Sequence, residues 1–204
     1  MSYKDFSFRD LENKFAIRQS RKRLFQEESI VAVAPSEWLK ETLSRSKRLP
    51  LRSEKSKSEL IISPVLSEIK FLNENYIQLF SGENLKADIK QKLNGEIDFL
   101  LVCHPRIVEL QEPIFSITEA KKGSLDEGWA QCAAQLYGAR LFNQKSNNHI
   151  ETIYGAVCNG LDWQFLVLED DCVYIDEQVY TTEQLPLLLG VLQHIVNKYI
   201  PLGK

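Results

Sequence analysis

The sequence predicts an α/β fold, a mixed β-sheet flanked by helices. Three observations carry this. Two apolar, β-branched runs of strand length, "EIDFLLVC" and "PIFSITEA", follow one another closely. A long Ala-, Leu- and Gln-rich stretch of helical character separates them from three further strand-like runs. The order along the chain is helix, strands, helix, strands, helix, the signature of helices packed on one sheet. With 204 residues, 44% hydrophobic and 26% charged, the chain has the length and composition of an ordinary globular domain.

The elements follow in order. "FRDLENKFAI" and "PSEWLKETLS" predict short helices, the second with Ser36 as N-cap and Glu37 in its first turn. A polar, basic connector runs from Ser44 to Arg52. "SEKSKSELIISPVLSEIKFLNE", residues 53–74, predicts a longer helix that Pro64 should kink or divide. "YIQLFSGENL" predicts a strand entering a turn. "EIDFLLVC" and "PIFSITEA" should pair antiparallel through "HPRIVELQE". "LDEGWAQCAAQLYGARLFNQ" predicts a helix, and "TIYGAVCNGLDWQFLVLEDDCVYID" three short strands with turns at Asn-Gly and Asp-Asp. The apolar "TTEQLPLLLGVLQHIVNKYI" should end the fold as a helix docked on the sheet.

The net charge of -3 hides an asymmetry. Residues 1–57 carry 14 Lys/Arg against 8 Asp/Glu, and the remainder 11 against 20. The segment "KETLSRSKRLPLRSEKSK" holds seven cations and two acids, which suits either a phosphate-binding surface or a solvated linker. No run reaches the roughly 20 apolar residues of a membrane span, and "MSYKDFSFRDLENKF" lacks the apolar core of a secretory signal. Cys103, Cys132, Cys158 and Cys172 form no CxxC pair, so neither a zinc site nor a disulfide framework is expected, and the default compartment is the cytoplasm. His104, His149 and His194 are scattered, and no Ser/His/Asp or Cys/His arrangement is visible. No GxxxxGK[ST] loop occurs, which excludes an ATP-driven motor within this chain.

Two carboxylates and an ammonium stand on the predicted core strands. Asp98 lies inside "EIDFLLV", Glu119 closes "IFSIT", and Lys121 is two residues further on. Residues i and i+2 of a strand share a face, so Glu119 and Lys121 project together and a neighbouring strand can bring Asp98 alongside. Adjacent carboxylates repel unless a cation neutralises them. Mg²⁺ or Mn²⁺ fits, because such ions take one or two carboxylates and complete their shell with water and phosphate oxygens. The lysine would orient a water or stabilise charge on a phosphoryl oxygen. A further acid is expected from the helix of residues 53–74. On an α-helical wheel Glu54 falls within about 20° of Ile61 and Val65 and in line with Leu72, whereas Glu59 lies about 140° away. Glu68 returns near that stripe but stands beyond Pro64. Glu54 is favoured, with Glu59 as runner-up. Gln131 and Gln135 sit one helical turn apart, either as a polar face or as site residues.

Asp98 with Glu119-Ala120-Lys121 resembles the PD-(D/E)xK nuclease superfamily, the restriction-endonuclease-like fold, with Ile97 in place of the proline. The helix bearing Gln131 and Gln135 is similar to the QxxxY-type helix of some members, although Gln135 stands where their tyrosine would be. From about residue 53 to 168, "SEKSKSELIISPVL", "GEIDFLLV", "ITEAKK" and "GAVCNGLDWQFLVL" resemble the N-terminal nuclease domain of type I restriction enzyme R subunits, including Asn159, Gly160 and Trp163 of its closing hairpin. The chain is also similar to a small stand-alone family found in cyanobacteria. The resemblance implies an N-terminal, helical, basic extension over residues 1–52 and a nuclease-like domain over 53–204. It implies metal-dependent phosphodiester hydrolysis of DNA, with Asp98, Glu119 and Glu54 as metal ligands and Lys121 as the residue that positions water. Gln131, Gln135, Lys122, Arg52 and Lys57 are the expected substrate contacts. The sequence neither requires nor excludes a homodimer. The alternative expectation is a catalytically inactive module of the same fold that binds nucleic acid or a partner protein.

Overall fold

The computed structural model describes residues 2–146 and 150–200. Its centre is one seven-stranded mixed sheet. The strands are β1 (Arg18–Lys22), β2 (Gln78–Asp88), β3 (Leu93–Val102), β4 (Ile114–Ala120), β5 (Ile153–Cys158), β6 (Asp162–Glu169) and β7 (Cys172–Thr181), in the order β1-β7-β6-β5-β4-β3-β2. β1 runs parallel to β7 and β4 parallel to β5, and the other neighbours are antiparallel. The directions of β1, β4, β5 and β7 therefore agree, and all four end at the same end of the sheet.

β4 and β5 are buried along their whole length, as the continuous apolar runs require. β3 and β4 pair antiparallel as expected. The Asn-Gly turn joins β5 to β6, with Asn159 Oδ1 accepting the N–H groups of Leu161 (3.1 Å) and Asp162 (2.9 Å). The Asp-Asp turn joins β6 to β7, with Asp170 at φ 47°. Trp163 is fully buried on β6.

The helices are α1 (Phe8–Phe15), α2 (Glu37–Ser46), α3 (Glu54–Lys57), α4 (Ser63–Leu72), α5 (Asp126–Lys145) and α6 (Leu185–Asn197). Ser36 caps α2 as the sequence predicts, accepting Leu39 N–H at 3.1 Å. α5 lies against one face of the sheet at very short range. A Cβ at Gly155 of β5 would meet Cys132 Sγ at 2.7 Å, and one at Gly128 of α5 would meet Val157 Cγ1 at 2.6 Å. Tyr154, whose side chain alternates to the opposite face, meets Tyr199 just past α6. α6 is tied to the end of α4 by reciprocal amide bonds between Asn73 and Gln193 (2.7 and 3.0 Å).

Two features depart from the sequence expectation, and a third meets it in an unexpected way. The first helix stops at Phe15, where Ala16 turns into the left-handed region (φ 57°), and the chain enters β1. That strand has the sequence RQSRK and is exposed at four of its five residues, so it carries none of the apolar alternation by which strands are recognised. Residues 2–52 are also no mere extension: they add β1 to the sheet and Tyr3, Leu11, Ile17, Phe25 and Leu39 to the core. Finally, the helix expected over residues 53–74 is divided next to Pro64, as the proline predicts, and a wide turn makes the division. A wide π turn over Ser58–Ile62 joins α3 to α4, and Ser63 N–H reaches back five residues to Ser58 O. The proline stands in the first turn of α4, where its missing N–H is tolerated. The wide turn delays the helix phase between Glu54 and Val65; Leu72, the last residue of α4, is 53% exposed.

Candidate active site

The candidate residues converge where β3 and β4 separate. The last paired residues there are Phe99 and Thr118. One step further the register sets Asp98 across from Glu119, and β4 continues only along β5, with Glu119 beside Val157 and Ala120 beside Cys158. Where the next ladder bond would fall, Asp98 Oδ2 accepts the Ala120 N–H at 2.7 Å. Asp98 is thus both a strand-end partner and a carboxylate presented beside Glu119.

Glu119 is almost wholly enclosed, its side chain 5% exposed. Lys121 Nζ donates to its Oε1 at 2.7 Å and Gln135 Nε2 to its Oε2 at 2.6 Å. Lys121 also donates to Gln131 Oε1 at 3.0 Å. Its stem lies against Gly128, whose missing side chain leaves room for it: a Cβ there would sit 3.1 Å from the lysine Cγ and Cε. Sequence thus places Lys121 twice, by the i, i+2 rule on the strand and by a glycine on the facing helix.

Burial is the main reason Glu119 is pushed up to about 7, with the Asp98 charge adding to it and Lys121 and Gln135 opposing it. Asp98 is also raised, by burial first and by the Glu54 and Glu96 charges, while the Ala120 N–H and Lys121 act against that. For Lys121 burial works to lower the value, but the pull of Glu119, Glu54 and Asp98 prevails and holds the ammonium charged. The two carboxylates are short of positive charge despite the lysine.

The three helix acids separate clearly. Glu54 Oε1 accepts the Lys122 N–H at 3.1 Å, directly after the lysine of the cluster. Lys57, one turn on, donates to Lys122 O at 2.7 Å, so α3 grips the segment that follows β4 from both sides. An open cleft of ≈ 390 Å³ beside Asp98 and Ala120 is lined by Glu54, Glu59 and Glu96. Glu59 is exposed at its rim, 3.8 Å from Lys55. Glu68 is elsewhere. It is buried and accepts from Ser36 N (2.7 Å) and Oγ (2.8 Å), anchoring the start of α2.

The expected substrate contacts also separate. Gln131 stands at the lysine, and the Lys122 side chain and Arg52 are exposed near α3. Gln135 is fully buried, so it holds Glu119 and cannot reach a substrate. Its Oε1 has no hydrogen-bond partner. His104 and His194 lie outside the cluster, and His149 falls outside the described residues. All four cysteines are free.

Among the described residues no three His, Cys, Asp or Glu side chains form a group able to hold a metal ion unaided. Two carboxylates side by side, both driven toward protonation, nevertheless match an ion that takes one or two protein carboxylates and fills its shell with water and phosphate. Glu54 borders the same cleft with one oxygen committed to Lys122. No family model matches the chain, and no curated protein matches it. Among the described residues no helix is long and apolar enough to cross a membrane.

Proposed function

We propose that this chain is a metal-dependent phosphodiester hydrolase of the PD-(D/E)xK kind, acting on DNA. The observation that supports it best is the Asp98–Glu119–Lys121 cluster, assembled where two strands part and beside an open cleft. Asp98 and Glu119 would hold Mg²⁺ or Mn²⁺, with Glu54 at the rim. A bound divalent ion supplies positive charge against the scissile phosphate and eases ionisation of water. The protein's own residues do the rest. Gln135 and Lys121 fix the Glu119 carboxylate through both oxygens. Lys121, kept charged by three carboxylates, orients the attacking water or neutralises charge growing on a phosphoryl oxygen. Gln131 holds the lysine on its other side. Lys122 and Arg52, both exposed near α3, would contact the nucleic acid backbone, with Lys57 beside the Lys122 carbonyl it bonds.

The test combines calorimetric titration of Mg²⁺ and Mn²⁺ with cleavage of supercoiled, linear and single-stranded DNA, for the wild type and Asp98→Ala. Metal binding and cutting that are both lost in the variant support the reading. No metal binding at millimolar ion defeats it and leaves a nucleic-acid or protein-binding module.

A further inference from the structure

Building on the nuclease reading, we propose that Arg21, on the edge strand β1, is a phosphate-binding residue of the substrate track, oriented by Trp129 of the site helix. The register places Ile117, Gly155, Leu166, Ile175 and Arg21 in one row across β4, β5, β6, β7 and β1. Direct partners share a face, and Gly155 faces α5, so Arg21 faces α5 as well. Glu119 lies on the same face, one same-face step further along β4. At a strand spacing of ~4.8 Å, the four intervals from β4 to β1 span about 19 Å, a reach of a few nucleotides.

The surface between the two points is built. Trp129 lies between Gly128, which abuts Lys121, and the turn of α5 bearing Gln131. Its Nε1 donates to buried Gln164 Oε1 at 2.9 Å, and Gln164 Nε2 donates to Asp176 O at 2.8 Å. The indole is therefore fixed, and the Arg21 guanidinium stands 5.6 Å from its centroid. An arginine ordered on an aromatic ring has spent little freedom elsewhere and keeps its donors for an anion. Arg23, beyond the strand end, adds charge while bonded to Gln178 Oε1 at 2.7 Å.

On the opposite side the cations near α3 are offset by acids. There the cleft is bordered by Glu54, Glu59 and Glu96. The acids at the start of α5 belong to its preceding loop, Asp126 bonded to Ser124 and Glu127 against Gly123. Charges on an edge strand also deter pairing with another chain, which accounts for a basic β1 but not for an arginine seated on the helix that carries the site. Lys22 shows the difference: it turns to the other face, onto the Tyr174 ring at 3.6 Å and Glu169 at 2.8 Å.

The experiment is fluorescence anisotropy of labelled single-stranded and duplex DNA in EDTA, as a function of salt. The proteins are the wild type, Arg21→Gln, Trp129→Leu and, as the same-strand control on the other face, Arg18→Gln. Arg21→Gln should weaken binding about fivefold at 0.1 M salt and reduce the slope of log K against log salt by about 0.7 to 0.9, one phosphate contact. Trp129→Leu should share part of that loss, and Arg18→Gln should bind as the wild type does. If Trp129→Leu fails to fold, the two arginine variants decide alone, both positions being exposed. A wild type that binds DNA together with an unaltered Arg21→Gln slope overturns this inference only. So does an equal loss in Arg18→Gln. A wild type that binds neither DNA overturns this inference, while the nuclease reading stands or falls on its own metal-binding and cleavage test.

Discussion

Asp98 answers a backbone N–H, that of Ala120, at 2.7 Å from across the gap where β3 and β4 have stopped pairing. The same carboxylate therefore closes the sheet and faces the cleft. The two roles separate by substitution. Asp98→Asn keeps an acceptor for Ala120 and should melt within about 1 kcal/mol of the wild type, whereas Asp98→Ala orphans that N–H and should cost about 1–3 kcal/mol. Both should reduce DNA cleavage by about 10²–10³-fold. Urea melts beside cleavage rates check this. An Asp98→Asn protein of full activity would sink the catalytic role.

Glu119 makes stability depend on pH. Its folded value of about 7 lies above the ordinary 4.5, so between those values the folded state binds more protons than the unfolded. Stability is then greatest below about pH 4.5 from this group and declines as pH rises through 7. The decline is up to roughly 3 kcal/mol, at 1.36 kcal/mol per unit. Denaturation in EDTA from pH 5 to 8 should show it, and Glu119→Gln should flatten that part of the profile.

Gln135 holds Glu119 through Nε2 while its own Oε1 is buried without a partner. Gln135→Met removes the unpartnered acceptor but also orphans the buried Glu119 Oε2, so it should cost about 1–3 kcal/mol of stability. On the proposed role of Glu119 as a metal ligand, turnover should fall about 10- to 100-fold, the usual loss when the support of such a carboxylate is removed. KM for DNA should be unchanged, because this side chain never meets the substrate. A raised KM with normal turnover would contradict the assignment.

Glu54 and Glu68 should behave oppositely. Glu68→Ala strips two hydrogen bonds from Ser36, the cap of α2, and should cost about 1–3 kcal/mol without altering cleavage well below the melting temperature. Glu54→Gln leaves an acceptor for Lys122 and should barely move the melt, yet slow cleavage. Thermal melts and initial rates on the two variants decide the matter.

How legible these features were in the sequence depends on what each residue's neighbours are. β4 and the second half of β3 declare themselves because a strand buried on both faces must be apolar, which makes Glu119, and Asp98 at the start of the apolar run, conspicuous. Ser36 and the Asn159–Gly160 turn are local chemistry, readable within a few residues. β1 is silent, since an exposed edge strand buries nothing that would impose alternation on RQSRK. The destination of Glu68 depends on a residue 32 positions away, and the burial of Gln135 on how closely glycines let α5 approach the sheet. Neither distance is written in the local pattern.

The wide turn at Ser58–Ile62 also bears on how this chain is set beside others. Any helix that lacks that turn matches this one only across a one-residue gap. Aligned without the gap, residues on one side of the turn are equated with side chains pointing elsewhere. The number of positions between Glu54 and Pro64 is therefore a count along the chain and not a measure of angle, and two sequences with equal counts can present different acids to the same cleft.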